Sequence, residues 1–441
     1  MRRSVARRQF LLALGATLAV VAAGCSGWTT YHRDVARSGA DPSAVSIVPA
    51  ARAWTSPNLD GMVYAEPLVY RNRVYVATEN DSIYALDLAT GVVVWYSHLG
   101  TPVPLASLPC GNIDPLGITG TPVIDPVSGV IFVVAELSGT AIQHALIGLD
   151  VDSGAPRVLV SGDPWPVIPT THQQRAALAL GNDRVYWAYG GLSGDCGQYR
   201  GAVLSVRTDG SALLEYVVPT HNRGAIWAPS GPAIDPSGNV WVTSGNGDST
   251  TAFDHGNAVI RLSPSLQELG YFAPTNWAAL NQADQDLGST GPLILPGGFV
   301  FQVGKSGDAY IVRQSAPGGI GGQVASLAIA CNASGGDALL NGVVIYVPCL
   351  SGTRAILLGQ GPTLSYLWTG PSDANGSPVV GGGTVWVVAV DHGVLYALNP
   401  PNGSVQQTIS IGHARHFTSP TIVGGTVIVA TDTTVQAFRH A

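Results

Sequence analysis

A four-strand unit recurs along the chain, and residues 62–100 show it most clearly in MVYAEPLVYRNRVYVATENDSIYALDLATGVVVWYSHLG. A proline opens a short apolar strand, and an alternating strand follows at Val74–Ala77. A third strand spans Ile83–Asp87, and the Thr90–Gly91 turn leads to a fourth strand that reaches Trp95. Short strands separated by turn residues are typical of sandwiches, barrels and propellers. The recurrence of one four-stranded unit favours the propeller.

The unit occurs often enough to build eight blades. Its proline signal returns at five further places, and two units without the proline lie near 177–207 and 338–358; the prolines are Pro122, Pro232, Pro292, Pro378 and Pro420. The last unit ends one strand short at Phe438, and the segment around Trp54 can supply the missing outer strand. Such closure removes exposed sheet edges, which invite aggregation. We therefore predict an all-β, eight-bladed β-propeller of four-stranded antiparallel blades over residues 51–441, closed by an N-terminal strand.

Composition supports this fold and argues against one class of binding partner. Only 11% of the residues are charged and 55 are glycine, which favours many short strands and turns over helices. If the four arginines before residue 10 are removed with a leader, 17 of the 21 basic residues remain against 28 acidic ones. No basic stripe survives, so we expect no nucleic-acid partner, and we expect a monomer.

The first 25 residues are typical of an export signal. An apolar run from Phe10 to Ala23 follows the arginines and is too short to span a bilayer. Arg7–Leu12 resembles a twin-arginine export motif, and Ala22–Cys25 resembles a bacterial lipobox with Cys25 as the lipidated residue. The sequence thus predicts an extracytoplasmic lipoprotein anchored to the cell membrane, with residues 26–50 as a linker. An ordinary signal peptide with an incidental cysteine is the alternative.

Four cysteines follow Cys25, and an even number in an exported chain favours disulfides. Three connectivities exist for four cysteines. We predict Cys110–Cys196 and Cys331–Cys349, the second pair bracketing a short hairpin-like stretch. The spacing does not suit a metal site, because no CxxC motif or histidine cluster accompanies these residues.

The cadence YALDxxTGxxxW, residues 84–95, resembles the repeat of the quinoprotein-like propellers. That family includes the pyrroloquinoline quinone (PQQ) alcohol and polyvinyl-alcohol dehydrogenases and the propeller lipoprotein of the outer-membrane barrel-assembly machinery. The likeness extends over residues 51–441 and is clearest in the first unit and at Tyr396–Asn399. It implies a PQQ-binding-like repeat protein of the cell envelope.

Strand order indicates where functional groups meet. The loop that enters the first strand of a blade and the loop that leaves its second strand lie at the same mouth of the channel, and loops on a rigid scaffold commonly carry function. In the fourth and fifth units these loops contain Trp227, Asn246, Asp286 and Lys305. Lys305 is the only lysine in the chain.

These loops, in this order, resemble the cofactor loops of PQQ dehydrogenases. The resemblance implies that Trp227 forms the floor under the quinone and that Lys305 contacts the quinone. It also implies that Asn246 and Asp286 lie at a calcium ion. Asp286 would be the catalytic base that takes the alcohol proton while hydride passes to the quinone. The implied cofactors are PQQ and Ca²⁺, an ion that prefers oxygen ligands.

Departures from the family pattern leave a second interpretation open. The family's calcium-binding glutamate should fall near Asp195–Cys196, and its adjacent cysteine pair is absent, as is a CxxCH haem motif. Taken singly, the four residues also suit channel packing, a tight turn, an Asx turn and a solvated charge. The chain is therefore either an alcohol or sugar dehydrogenase or a non-catalytic scaffold that binds protein or glycan partners at the cell envelope.

Overall fold

The computed structural model describes residues 27–441, and these form eight antiparallel four-stranded blades around a central channel. The predicted fold is confirmed. The predicted leader and Cys25 lie outside the described residues. Within 27–441, one short α-helix spans Trp277–Gln282 and two 3₁₀ turns span Leu105–Ser107 and Leu287–Ser289. No helix in this range is long and apolar enough to cross a membrane.

Blades 1 to 4 take up the first part of the ring. From innermost to outermost, their strands are Leu68–Tyr70, Arg73–Thr78, Ser82–Asp87 and Val93–His98 in blade 1; Val123–Asp125, Val130–Leu137, Gln143–Asp150 and Pro156–Ser161 in blade 2; Ala179–Gly181, Arg184–Gly191, Ala202–Arg207 and Leu214–Val217 in blade 3; and Ala233–Ile234, Val240–Thr243, Val259–Leu262 and Glu268–Ala273 in blade 4. His172–Gln173 and Gly319–Ile320 add short strands to blades 3 and 4.

Blades 5 to 8 complete the ring. In the same order, their strands are Leu293–Leu295, Phe299–Gln302, Asp308–Arg313 and Ala325–Ala328 in blade 5; Ala338–Leu340, Val344–Val347, Arg354–Gly359 and Thr363–Thr369 in blade 6; Val379–Gly381, Thr384–Ala389, Val394–Leu398 and Val405–Ser410 in blade 7; and Thr421–Val423, Thr426–Ala430, Val435–His440 and Ala50–Thr55 in blade 8. The outer strand of blade 8 is the predicted N-terminal strand, so the closure around Trp54 is observed.

Three tryptophans on outer strands dock one blade onto the next in the same way. Each indole N–H donates to a carbonyl of the neighbouring blade's outer turn at 2.9–3.0 Å. Each ring also covers a turn glycine with φ near +70°, where an added Cβ would lie 2.4–2.6 Å from the ring. The pairs are Trp54–Gly91, Trp95–Gly154 and Trp368–Gly403. Glycine is required there both for its conformation and for the close approach. Through Trp54, the same contact joins blade 8 to blade 1 and so closes the ring.

The segment predicted as a linker, residues 26–50, differs from that expectation, because residues 28–41 lie inside the channel against the inner strands. Trp28 pairs with Val69 of blade 1, and Ala40–Asp41 pair with the inner strand of blade 7. Between them, main-chain carbonyls accept hydrogen bonds from the inner strands of further blades; the donors are Ile124, Ile234, Ile294, Leu339 and Val380. The Arg37 guanidinium donates to the carbonyls of Leu178 and Pro232. The inner strand edges, which would otherwise lack partners, are thus satisfied by the chain itself.

Two disulfides link loops of the ring, Cys110–Cys196 and Cys331–Cys349. These are the two predicted pairs. The first joins the long loop before blade 2 to the loop after the second strand of blade 3, and the second joins the loops that flank the two inner strands of blade 6. Two disulfides are typical of proteins that fold outside the reducing cytosol.

Candidate functional site

The loops of blades 3, 4 and 5 surround a cavity of about 240 Å³ at one mouth of the channel. Its wall contains all four residues predicted to form a site. The lining residues are Arg175, Gly191, Leu192, Ser193, Gly194, Asp195, Tyr199, Ala225, Trp227, Asn246, Asp284, Asp286 and Lys305. Trp227 and Lys305 line this one cavity although they lie 78 positions apart in the sequence, as the order of the strands predicts.

Asp286 is the buried carboxylate of this cavity, with 5% of the residue exposed. Its Oδ1 accepts a hydrogen bond from the Asn246 main-chain N–H at 2.7 Å, and its Oδ2 lies 2.6 Å from the Lys305 ammonium. Burial raises the pKa of Asp286, and Lys305 and the Asn246 N–H oppose that rise. A carboxylate in this setting is a stronger base than an exposed one.

Lys305 is held between acidic and aromatic groups. Its Nζ lies 3.3 Å from Asp284 Oδ2 as well as 2.6 Å from Asp286, and 5.8 Å from the centre of the Trp227 ring. Burial acts against the charge, but the attraction of Asp286 outweighs it and raises the pKa of Lys305. The ammonium is therefore charged and fixed over the aromatic wall.

A network of asparagines holds Asp286 beside Asn246. Asn281, in the helix Trp277–Gln282, accepts from the Gly247 N–H and from the Asn257 side chain. Asn257 in turn accepts from the Leu287 N–H at 2.6 Å. Glycine at 245 permits the approach, because a Cβ there would lie 2.5 Å from Asp286 Oδ1. The loop leaving blade 4 and the loop entering blade 5 are thus fixed to each other.

The cavity is also lined by blade 3 residues that sequence reasoning did not select. Arg175 precedes the inner strand of blade 3, and Asp195 follows that blade's second strand. The Tyr199 hydroxyl donates to Asp195 Oδ1 at 2.6 Å. The Cys110–Cys196 disulfide borders this part of the cavity, since a Cβ on Gly194 would lie 3.3 Å from Cys110 Sγ. Blade 3 lacks the proline signal, so its entering loop was not marked in the sequence.

The residues of the cavity suit a planar cofactor better than a calcium ion. Trp227 and Lys305 offer an aromatic face and a fixed cation on one wall. Both Asp286 oxygens already have partners, and the Asn246 amide nitrogen is buried without one. Within residues 27–441, no three acidic, histidine or cysteine side chains are grouped to hold a metal ion. The metal roles of Asn246 and Asp286 stay a prediction, and no chemical step is assigned to calcium.

Comparisons with known proteins agree with this architecture. Residues 43–155 match the sequence model of the family described as outer membrane protein assembly factor BamB. Quinohemoprotein alcohol dehydrogenase ADHIIG from Pseudomonas putida HK5 superposes with a TM-score of 0.73 at 12% identity, over 95% of this chain and 80% of that one. The quinohemoprotein alcohol dehydrogenase from Comamonas testosteroni gives 0.69 at 15%, over 94% and 80%.

BamB from Moraxella catarrhalis has a TM-score of 0.59 at 15% identity, over 90% of this chain and all of that one. No curated protein sequence matches this chain. At these identities the structural likeness concerns the fold. The chain is an eight-bladed β-propeller whose fold resembles those of these two quinohemoprotein dehydrogenases and of BamB.

Proposed function

We propose that the protein is an exported, lipid-anchored quinoprotein that binds PQQ in the cavity at blades 4 and 5 and oxidises an alcohol or a sugar there. The observation that carries the proposal is the buried Asp286–Lys305 pair beside Trp227, on the wall of a cavity at the channel mouth. A buried acid–base pair in a cleft is a common mark of a functional site. The fold's likeness to two quinohemoprotein dehydrogenases supports the same assignment.

The side chains have separate tasks in this proposal. Bound PQQ would supply the two-electron acceptor for alcohol oxidation. Trp227 would cover one face of the cofactor, and Lys305 would bind an oxygen on its edge. Asp286 would accept the substrate hydroxyl proton, because burial raises its pKa while the Asn246 N–H keeps the carboxylate oriented.

The test is cofactor retention by the purified chain. PQQ is added, the protein is desalted, and the quinone absorbance that stays with the protein is measured together with alcohol-dependent dye reduction. We expect retention and activity in the wild type. Lys305→Ala should weaken retention, and Asp286→Asn should abolish dye reduction. Asp152→Asn, an exposed acid in the outer turn of blade 2, is the matched control. Absence of retained quinone in the wild type at micromolar PQQ would refute the proposal.

One observation favours a second function. The BamB family match spans residues 43–155, which include the closing strand, blade 1 and three of the four strands of blade 2 but none of the cavity residues. A scaffold that binds protein or glycan partners at the cell envelope would use this part of the ring and would not need the cavity. Wild-type protein that retains no quinone but captures a defined envelope partner would support this alternative.

A further inference from the structure

Arg175 is a cation on the cavity wall that has no carboxylate partner at ion-pair distance among residues 27–441. Its Nη2 donates to Gln173 Oε1 at 2.7 Å, and its guanidinium carbon lies 5.6 Å from the centre of the Phe417 ring. Lys305 differs, because two aspartates neutralise it. Most of the planar donor fork of Arg175 therefore lacks a protein acceptor in the described part of the chain.

Phe417 supports this arginine from below in an unusual backbone conformation. Its φ is +72°, a region that bulky residues rarely adopt, and such conformations are concentrated at functional sites. The Phe417 ring lies 6.1 Å from the Trp227 ring, so aromatic groups extend from beneath Arg175 to beneath Lys305. Tyr31 of the channel segment lies against the same small space as Arg175 and Phe417. The arginine is thus fixed by packing at one end of an aromatic floor.

Partial burial of the Arg175 guanidinium costs free energy, because it removes part of the charge from water. It lowers the pKa of Arg175, and the attraction of Glu79 and Tyr64 only partly compensates. A guanidinium stays protonated in proteins, so the site keeps a half-buried positive charge that an anionic ligand would offset. A guanidinium fork matches a carboxylate with two parallel hydrogen bonds.

We propose that Arg175 binds a carboxylate of the molecule that occupies the cavity, which would make the cavity selective for planar aromatic anions. This inference rests on the proposed quinone-binding function and names the group of the ligand that Arg175 recognises. An ester of the same ring system would fit the aromatic floor but would have no charged carboxylate for Arg175 to bind. Hydrogen bonds between charged groups are strong enough for about a tenfold to hundredfold change in affinity when one partner is lost.

The experiment compares dissociation constants for three probes by equilibrium titration of tryptophan fluorescence. The probes are PQQ, its trimethyl ester, and benzene-1,3,5-tricarboxylate, which is a planar anion without redox chemistry. The variants are Arg175→Gln, Arg175→Lys and the control Arg71→Gln, whose arginine is exposed in the turn between the two inner strands of blade 1. Circular dichroism melting establishes that each variant is folded, and Arg175→Lys tests the site if Arg175→Gln does not fold.

We expect Arg175→Gln to weaken PQQ and the tricarboxylate at least tenfold, to leave the ester unchanged, and to reduce the salt dependence of PQQ binding. Arg175→Lys should lie between the wild type and Arg175→Gln, and Arg71→Gln should match the wild type. Equal PQQ affinity in the wild type and both Arg175 variants would overturn this inference and leave the quinone proposal standing. Binding of the tricarboxylate through Arg175 without binding of PQQ would support the anion site and refute the quinone proposal. Binding of none of the probes would overturn both.

Discussion

Replacing Lys305 by methionine removes the cation from a carboxylate that the fold keeps out of water. The Asp286 side chain is 6% exposed, and its Oδ2 lies 2.6 Å from the Lys305 ammonium, whose side chain is 23% exposed. Breaking a fully buried ion pair costs about 3–5 kcal/mol, because it leaves an uncompensated charge. Since Lys305 is partly solvated, we expect Lys305→Met to lower the free energy of unfolding by about 2 kcal/mol at neutral pH.

The sign of the pH dependence follows from Asp286. Without Lys305, burial is less opposed, so the folded-state pKa of Asp286 should rise further above its unfolded value. A raised pKa costs stability as pH rises through the window between the two values, and this cost disappears below the unfolded pKa. The loss in Lys305→Met, measured by urea unfolding between pH 4 and pH 8, should therefore shrink toward the acidic end. The double variant Asp286→Asn/Lys305→Met should recover most of the loss. An equal loss at every pH, or no recovery in the double variant, would refute the reasoning.

Two further predictions concern stability elsewhere in the ring. Gly154→Ala should lower the free energy of unfolding by about 3 kcal/mol, because positive φ and contact with the docking tryptophan of blade 1 both oppose a Cβ. Gly424→Ala is the control, because Gly424 has positive φ but open space around it. It should cost about 1 kcal/mol in the same urea titration. Burial opposes the charge on His144, but its contacts with Glu136 and Asp163 outweigh it and raise the pKa to about 9. The stability from this charge, about 3 kcal/mol, should be complete below pH 6.5 and lost as pH rises through 9, and His144→Gln should flatten that part of the urea-midpoint profile. An unchanged profile in His144→Gln would contradict the assignment.

The ring was predictable because its signals are local. Period-two alternation, turn glycines and strand-opening prolines repeat in nearly every blade, and a final unit one strand short requires a partner such as the segment around Trp54. The meeting of Trp227 with Lys305 also followed, since blade topology alone puts their loops at one mouth. The channel segment was missed because its hydrogen bonds are main-chain contacts to inner strands far away in sequence. Such main-chain hydrogen bonds leave no repeated pattern in the sequence. Residues 38–49 therefore look like an ordinary polar, proline-containing connection.

The path of that channel segment also determines at which end of the channel the N-terminal part of the chain enters the ring. Gly27 lies next to Tyr70 at the turn between the two inner strands of blade 1, and those turns are at the end of the channel remote from the cavity. The segment rises from there toward the mouth and leaves again along the inner strand of blade 7 to the same end, where the Val45 N–H bonds to Gly424. Trp28 is fully buried, so the described chain is fixed to the ring from this residue onward. The lipid anchor proposed at Cys25 would therefore hold the propeller by its far face, and the cavity would then open away from the membrane.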